Sequence, residues 1–403
     1  MNLDEIVQSA AAIRLRQRLV PEGGPGDKIF PPTFAGGVYC WEERRIDGKS
    51  VPCVLLDSVA SQANRFEEAL ADLVARERLE LPRLVVRFTG DLADLGEIST
   101  LAAPHRVFDA ILRDSTIDGS PFFKSDLYKQ LTACNIRNAT ALFAYAPTAL
   151  LFGCWDSTGA AGGLGNKFAR AIASEIIGVQ AERGDNRGGV RQDPLGISAD
   201  VEIATDANGD WSLVGKSTAA RKDRAKGTRP SEINHGNVLL KVEAEPVERI
   251  LPDGTVQVVR LPLKGGVTVD YALQTTVLSL SALRRLRFPV SGNDSEKTDG
   301  LARAVLAALG LVAITAARDR GYWLRSRCGL VADGMQDFEI VKADGSIRPL
   351  KVDTRLAMDA YRQAVQAARE AGLPWHPEPI ALTPQQKLVE LVKKSREIQS
   401  LGA

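Results

Sequence analysis

Residues 41–75 read WEERRIDGKSVPCVLLDSVASQANRFEEALADLVA. Asp47-Gly48 lies between two strand-like runs. That dipeptide tolerates the positive φ of a two-residue turn, so the stretch predicts a hairpin ending in an apolar strand near Val54–Leu56. Ser58 or Ser61 then offers a side-chain oxygen to cap a helix running to about Ala75. Phe66, Leu70, Leu73 and Val74 form the apolar stripe of that helix, and Gln62, Asn64, Arg65 and Glu68 sit largely off it.

On the N-terminal side, IRLRQRL (13–19) alternates apolar and basic residues, as a half-buried strand does. The Gly- and Pro-rich run that follows reads as a loop. On the C-terminal side, LPRLVVRF (81–88) is a strand candidate, and a short helix is expected from about His105 to Arg113. Residues 139–155 read as strand-like pieces. A glycine bend follows, and then a helix with Phe168, Ile172 and Ile176 at four-residue spacing. From about Glu182 to His235 large apolar residues are few, so this is a long, exposed basic insertion. A hairpin is expected at Asp253-Gly254, a buried helix from about Gly300 to Arg318, a strand in GYWLRSRCGLV, and helices near 354–371 and 384–399. Strands joined by hairpins, with sparse strict βα alternation, predict an α+β fold around an antiparallel sheet.

The 403 residues carry 51 basic and 50 acidic side chains, a net charge of +1, which excludes a generic basic DNA-coating protein. Five cysteines, none in a CxxC pair, and three histidines make no disulfide framework and no spaced zinc site. The expectation is a cytoplasmic protein with no signal peptide, no membrane segment, no cofactor and no bound metal.

The glycine bend in CWDSTGAAGGLGNKFAR offers Gly162, Gly163 and Gly165, with Asn166, Lys167 and Arg170 after them. Exposed amides and flexible cations suit an anion. Lys167 is followed by Phe168, so the bend is no Walker A loop, and GxGxxG is absent. A phosphate of an oligonucleotide backbone and a purely structural turn both fit. The insertion holds Lys216, Arg221, Lys222, Arg224, Lys226 and Arg229, fit either for phosphates or for a solvated face, with Trp211 placed to stack on a base or to anchor the arm. Arg284, Arg285 and Arg287 form another cluster. In YWLRSRC, Trp323, Arg325 and Arg327 would share one strand face, as an RNA platform or as a charged edge. His105, Asp109 and Asp114 are the nearest thing to a catalytic set. Asp109 and Arg113, four apart, read more simply as a helix ion pair.

Five stretches in one order resemble the RAMP-type, RNA-binding backbone subunit of the type I-G (formerly I-U) CRISPR surveillance complex. They are GGPGDKIFPPTFAGG (23–37), EERRIDGKSVPCVLLDSVASQANRFEEAL (42–70), APHRVFDAILRDSTIDGSPFFKS (103–125), NATALFAYAPTALLFGCWDSTGAAGGLGNKFARAIASEIIG (138–178) and LRSRCGLV (324–331). The resemblance implies an RNA-recognition-motif, ferredoxin-like core with large insertions acting as thumb and finger regions. The core would begin in 1–181, with an inserted loop at 22–52, and continue through 236–353. Residues 182–235 are the first thumb candidate and 22–52 the second, and 354–403 form C-terminal helices. The implied function is non-enzymatic. Copies of the subunit oligomerise along the crRNA and leave guide bases free to pair with target DNA. Its partners would be a large subunit, a small subunit, a Cas5/Cas6-type subunit and a recruited helicase-nuclease. Under that resemblance Gln62, Asn64, Arg65, the 162–167 loop with Arg170, the basic insertion, Arg284, Arg285, Arg325 and Arg327 are the RNA-contact candidates. A metal-dependent nuclease of the guide pathway and an assembly protein without direct RNA contact are the competing readings.

Overall fold

The computed structural model describes residues 3–35, 37–156, 167–184, 191–205, 210–214, 229–237, 244–250, 255–262, 265–290 and 295–401. The chain forms two compact units. The first is Met1–Glu182 with Val267–Leu388, and the second is Arg183–Gly266 with Val389–Ala403.

The first unit is built on a nine-stranded sheet. In chain order its strands are β1 (Ala10–Pro21), β2 (Trp41–Ile46), β3 (Lys49–Asp57), β4 (Ile172–Val179), β5 (Tyr271–Ser279), β6 (Tyr322–Arg325), β7 (Cys328–Ala332), β8 (Phe338–Lys342) and β9 (Ile347–Leu350). Every pairing is antiparallel, in the order β6-β7-β1-β5-β4-β3-β2. One edge of β1 is shared: β8 pairs with Ala10–Arg14 and β7 with Leu19–Pro21. The fold is α+β, as expected.

Four helices accompany the sheet: α1 (Leu3–Ser9), α2 (Val59–Ala75), α3 (Ser295–Asp319) and α4 (Thr354–Glu370). The chain therefore runs β1, α2, β4, β5, α3, β8, and these strands lie in space as β8-β1-β5-β4. Ser58 caps α2, its hydroxyl accepting from Ser61 N at 3.3 Å. We expect Ser58→Ala to cost about 1 kcal/mol in urea unfolding with an unchanged m-value, the usual worth of an N-cap oxygen. Ala302 to Ala313 of α3 are almost entirely buried. Gly310 lets this helix approach the sheet, since a Cβ there would lie 3.0 Å from Ile172 Cδ1 and 3.3 Å from Leu278 Cδ2. Among the described residues α3 is the one helix long and apolar enough to cross a membrane, and 78% of its most apolar window is buried inside the protein, as in a core helix.

Two expected elements change type. Phe168, Ile172 and Ile176 lie on strands, Lys167–Phe168 and β4, and not on a helix. A spacing of four is one helical turn and also two strand repeats, and pairing of β4 on both edges decides for the strand. Conversely, residues 139–152 are helical, at Thr140–Tyr145 and Thr148–Phe152. Leu142, Phe143, Leu150, Leu151 and Phe152 are all buried, and a run buried on every side shows no period to read.

LPRLVVRF does hold a strand, Leu84–Arg87, in a separate five-stranded sheet. There it pairs in parallel with Ile380–Pro384 from the far end of the chain. Within the second unit, Ala244–Ile250 pairs antiparallel with Val256–Pro262, the hairpin expected around Asp253-Gly254. The turn residues themselves lie outside the described ones. Trp211 meets His235 edge-on at 5.9 Å in that unit.

Candidate nucleic-acid interface

Period-two alternation along β1 sends Ile13, Leu15, Gln17 and Leu19 into the core. Arg14, Arg16 and Arg18 therefore form a row on the face away from the helices. Arg14 is half-buried, its Nε 2.6 Å from Glu339. Arg18 stacks its guanidinium 4.0 Å from the Tyr271 ring centroid and lies 3.6 Å from Asp333. Arg16, between them, is exposed and has no ion pair or side-chain hydrogen bond among the described residues. The pairings Arg16↔Thr275 and Arg18↔Leu273 put this row beside Tyr271 of β5. Farther across the same face, Arg44 on β2 bonds Glu175 on β4 and Glu42. Arg16 and Arg18 thus carry the accessible positive charge over β1. None of the three arginines of the row was among the expected contacts, although the alternation in IRLRQRL already places them on one face.

Gln62 is a correction: it faces the core and is 2% exposed. Its Nε2 donates to Asp57 Oδ2 at 2.5 Å, and its Oε1 accepts from Ser174 Oγ at 2.8 Å and Gln274 Nε2 at 2.9 Å. Tyr322 OH extends the network to Gln274 Oε1 at 3.1 Å. Arg65 is likewise committed, with Nε to Asp57 Oδ2 at 2.8 Å and Nη2 to Leu324 O at 2.8 Å. The helix turns Gln62 onto the side of Phe66, four residues on, so polarity alone misplaced it. Asn64 is exposed.

The glycine bend stands on a short stem. Cys154–Trp155 pairs with Lys167–Phe168, which places the Lys167 backbone in a strand. Gly162, Gly163, Gly165 and Asn166 lie outside the described residues, as do Lys216, Arg221, Lys222, Arg224 and Lys226. The foot of the stem is fixed from beneath. Arg106 donates to both Glu67 oxygens, at 2.6 and 2.8 Å, and to Gly153 O at 3.1 Å. Arg170 donates to Phe152 O at 3.2 Å. Gly153 has φ +81°, and a Cβ there would lie 2.9 Å from Phe168 O, so only glycine fits. Burial raises the Glu67 carboxyl above the ordinary value, and Arg106 opposes that rise. Burial also pushes the Cys154 thiol up to about 12, which leaves it inert.

Arg284 is used internally, donating to Val7 O at 2.7 Å and Ala10 O at 2.6 Å. Arg285 is exposed, and Arg287 lies 3.4 Å from Asp299. The expected strand GYWLRSRCGLV is a hairpin, with Ser326 and Arg327 at the turn and Arg327 at φ +59°. Trp323, Arg325 and Arg327 therefore do not share one strand face. Arg327 instead lies over the Phe30 ring at 3.8 Å. Arg325 is half-buried.

His105 and Asp109 do not share a helix face either. Asp109 caps the helix Ala110–Arg113, accepting from Ile111 N and His105 N at 2.9 Å each. Arg113 pairs with Asp114 and not with Asp109. Hydrogen bonds from Arg113 and Lys387 hold the Asp114 carboxyl below its usual range. Among the described residues no group of three acidic, histidine or cysteine side chains could hold a metal.

Residues 13–183, from within β1 to just beyond β4, match the family described as CRISPR-associated protein GSU0053. The match indicates a CRISPR-associated protein, with a part in CRISPR defence. No curated protein matches the chain.

Proposed function

We propose that this chain is a guide-RNA-binding backbone subunit of a type I-G surveillance complex. Copies of it stack along the crRNA, and the guide bases remain free for target DNA. The observation that carries this reading is the row Arg14-Arg16-Arg18 with Tyr271 on the helix-free face of β1. Arginines at alternate strand positions meet successive phosphates without reading bases, which is what a guide of variable sequence requires. The order β8-β1-β5-β4 with two helices on one face is that of ferredoxin-like domains, many of which bind RNA on the open face. The family match over residues 13–183 supports the same reading. The subunit grips and presents the guide, and cutting of the target belongs to a recruited helicase-nuclease. The large, small and Cas5/Cas6-type subunits complete the particle.

The test is purification after co-expression with a CRISPR array and the neighbouring genes. Light scattering gives the mass, and the extracted nucleic acid is sized. The expected result is a large particle carrying one discrete RNA of guide length. A monomer free of RNA under those conditions would overturn the reading.

A further inference from the structure

Trp323 on β6 is 65% exposed, an unusual setting for an indole ring. Its neighbours Tyr322 and Leu324 are buried with Leu19 and Leu330 on the core side of the sheet. Side chains alternate along a strand, so the Trp323 ring stands on the opposite face, the one that carries Arg16 and Arg18. The register agrees across three strands. Tyr322 pairs with Leu330 and Leu330 with Pro21, while Trp323 pairs with Gly329 and Val331 with Val20. Directly paired residues share a face. Trp323, Val331, Val20 and Arg18 therefore lie on one surface, with Val331, 45% exposed, and half-buried Val20 between the ring and the guanidinium. Strand spacing and rise put Trp323 roughly 16 Å from Arg18, a reach of a few nucleotides.

The ring is held in place but left uncovered. Its backbone is paired in β6, and its carbonyl accepts from Arg65 Nη1 at 3.2 Å. Among the described residues it has no aromatic or cationic partner. Gly329 beside it has no side chain, and the Glu22 carboxylate lies over that glycine, where a Cβ would stand. Charge is thus divided along the surface, with cations at the Arg16–Arg18 end and a carboxylate at the Trp323 end. A phosphate is attracted to the first and repelled from the second, whereas an uncharged base can lie flat on the ring. A nucleic-acid strand has both parts. A basic protein segment would suit the ring and Glu22, but Arg16 and Arg18 on the same face repel it. An acidic one would use the arginines and leave the ring without a role.

Given the RNA-binding reading of the β1 row, on which this one rests, we propose that Trp323 stacks on a base of the same strand whose phosphates lie on Arg16 and Arg18. Val331 and Val20 form the apolar floor between the two ends. Stacking uses the flat face that every base has, so it accepts any guide sequence and leaves the pairing edge of the base open.

The test uses the full chain, nuclease-treated and freed of RNA at high salt, with a fluorescein-labelled uridine 15-mer of RNA followed by anisotropy at several salt concentrations. Trp323→Ala should weaken binding about 5-fold to 100-fold. The slope of log K against log salt should stay as in wild type, because stacking releases no counterion. Trp323→Phe should recover most of the loss, and unchanged thermal unfolding shows that both variants are folded. A 15-mer with the same backbone and no bases should bind wild type and Trp323→Ala alike. Wild-type affinity for the uridine 15-mer in Trp323→Ala, alongside loss in Arg16→Ser/Arg18→Ser, would overturn the stacking and leave the RNA-binding reading standing. The same retained affinity with a smaller particle after co-expression would assign Trp323 to a protein contact instead. Equal weakening of the uridine and abasic strands would also overturn the proposal, since the ring would then not act through a base. No RNA binding by the wild-type chain would overturn both readings.

Discussion

Arg106→Ala is expected to destabilise the first unit by about 3–5 kcal/mol, the cost of leaving one member of a buried ion pair alone. Glu67 is 3% exposed, and among the described residues Arg106 supplies both hydrogen bonds to its carboxylate. The substitution also removes the donor to Gly153 O at the foot of the glycine bend. Replacing Glu67 as well, in Arg106→Met/Glu67→Leu, should recover most of the loss, because an apolar pair needs no counterion. The effect has a sign in pH. Burial already lifts the Glu67 carboxyl above 4.5, and without the guanidinium it rises further. The folded state then binds a proton that the unfolded state has released. Stability of Arg106→Ala therefore falls as pH rises from the ordinary glutamate range through the raised value. In urea titrations the gap to wild type should be narrow in acid and full near neutrality. A gap of constant size at every pH would show that Glu67 is not the uncompensated group.

The second large effect is expected on the sheet face. Arg16→Ser/Arg18→Ser should weaken binding of a guide-length RNA by about 100-fold or more, as two charge-assisted hydrogen bonds are each worth about 1.5–3 kcal/mol. The salt dependence should become shallower by about 1.4 in log–log slope, at roughly 0.7 for each phosphate on a single strand. Arg14→Ser is the internal comparison: Glu339 already engages its guanidinium at 2.6 Å, so its loss should cost far less. Nuclease-treated protein, freed of RNA at high salt, provides the starting material. An unchanged slope in the double variant would remove the β1 row from the interface.

Local signals were legible where one period dominates. Alternation in IRLRQRL identified β1, Asp47-Gly48 the hairpin of β2 and β3, Ser58 the start of α2, and the Ala/Leu/Val run α3. The helix expected at Phe168, Ile172 and Ile176 failed because four-residue spacing satisfies a strand equally, and only the neighbours β3 and β5 resolve it. The site was harder. Gln62 looks like a surface residue until Asp57, Ser174 and Gln274 meet it from β3, β4 and β5. Arg16 and Arg18 were readable from alternation alone. Their charge is spread along one strand and not gathered in a dense run, yet a strand with a free face presents its cations at every second position.

The shared edge of β1 has a consequence during synthesis. Arg14 pairs with Glu339 and Leu19 with Ala332, more than three hundred residues downstream. A ribosome adding about 5–20 residues per second needs tens of seconds to deliver those partners. Throughout that interval the N-terminal strand has a bare hydrogen-bonding edge beside apolar Ile13, Leu15 and Leu19, open to pairing with another nascent chain. Its arginines at every second position act then as gatekeepers, keeping the waiting strand from joining its copies.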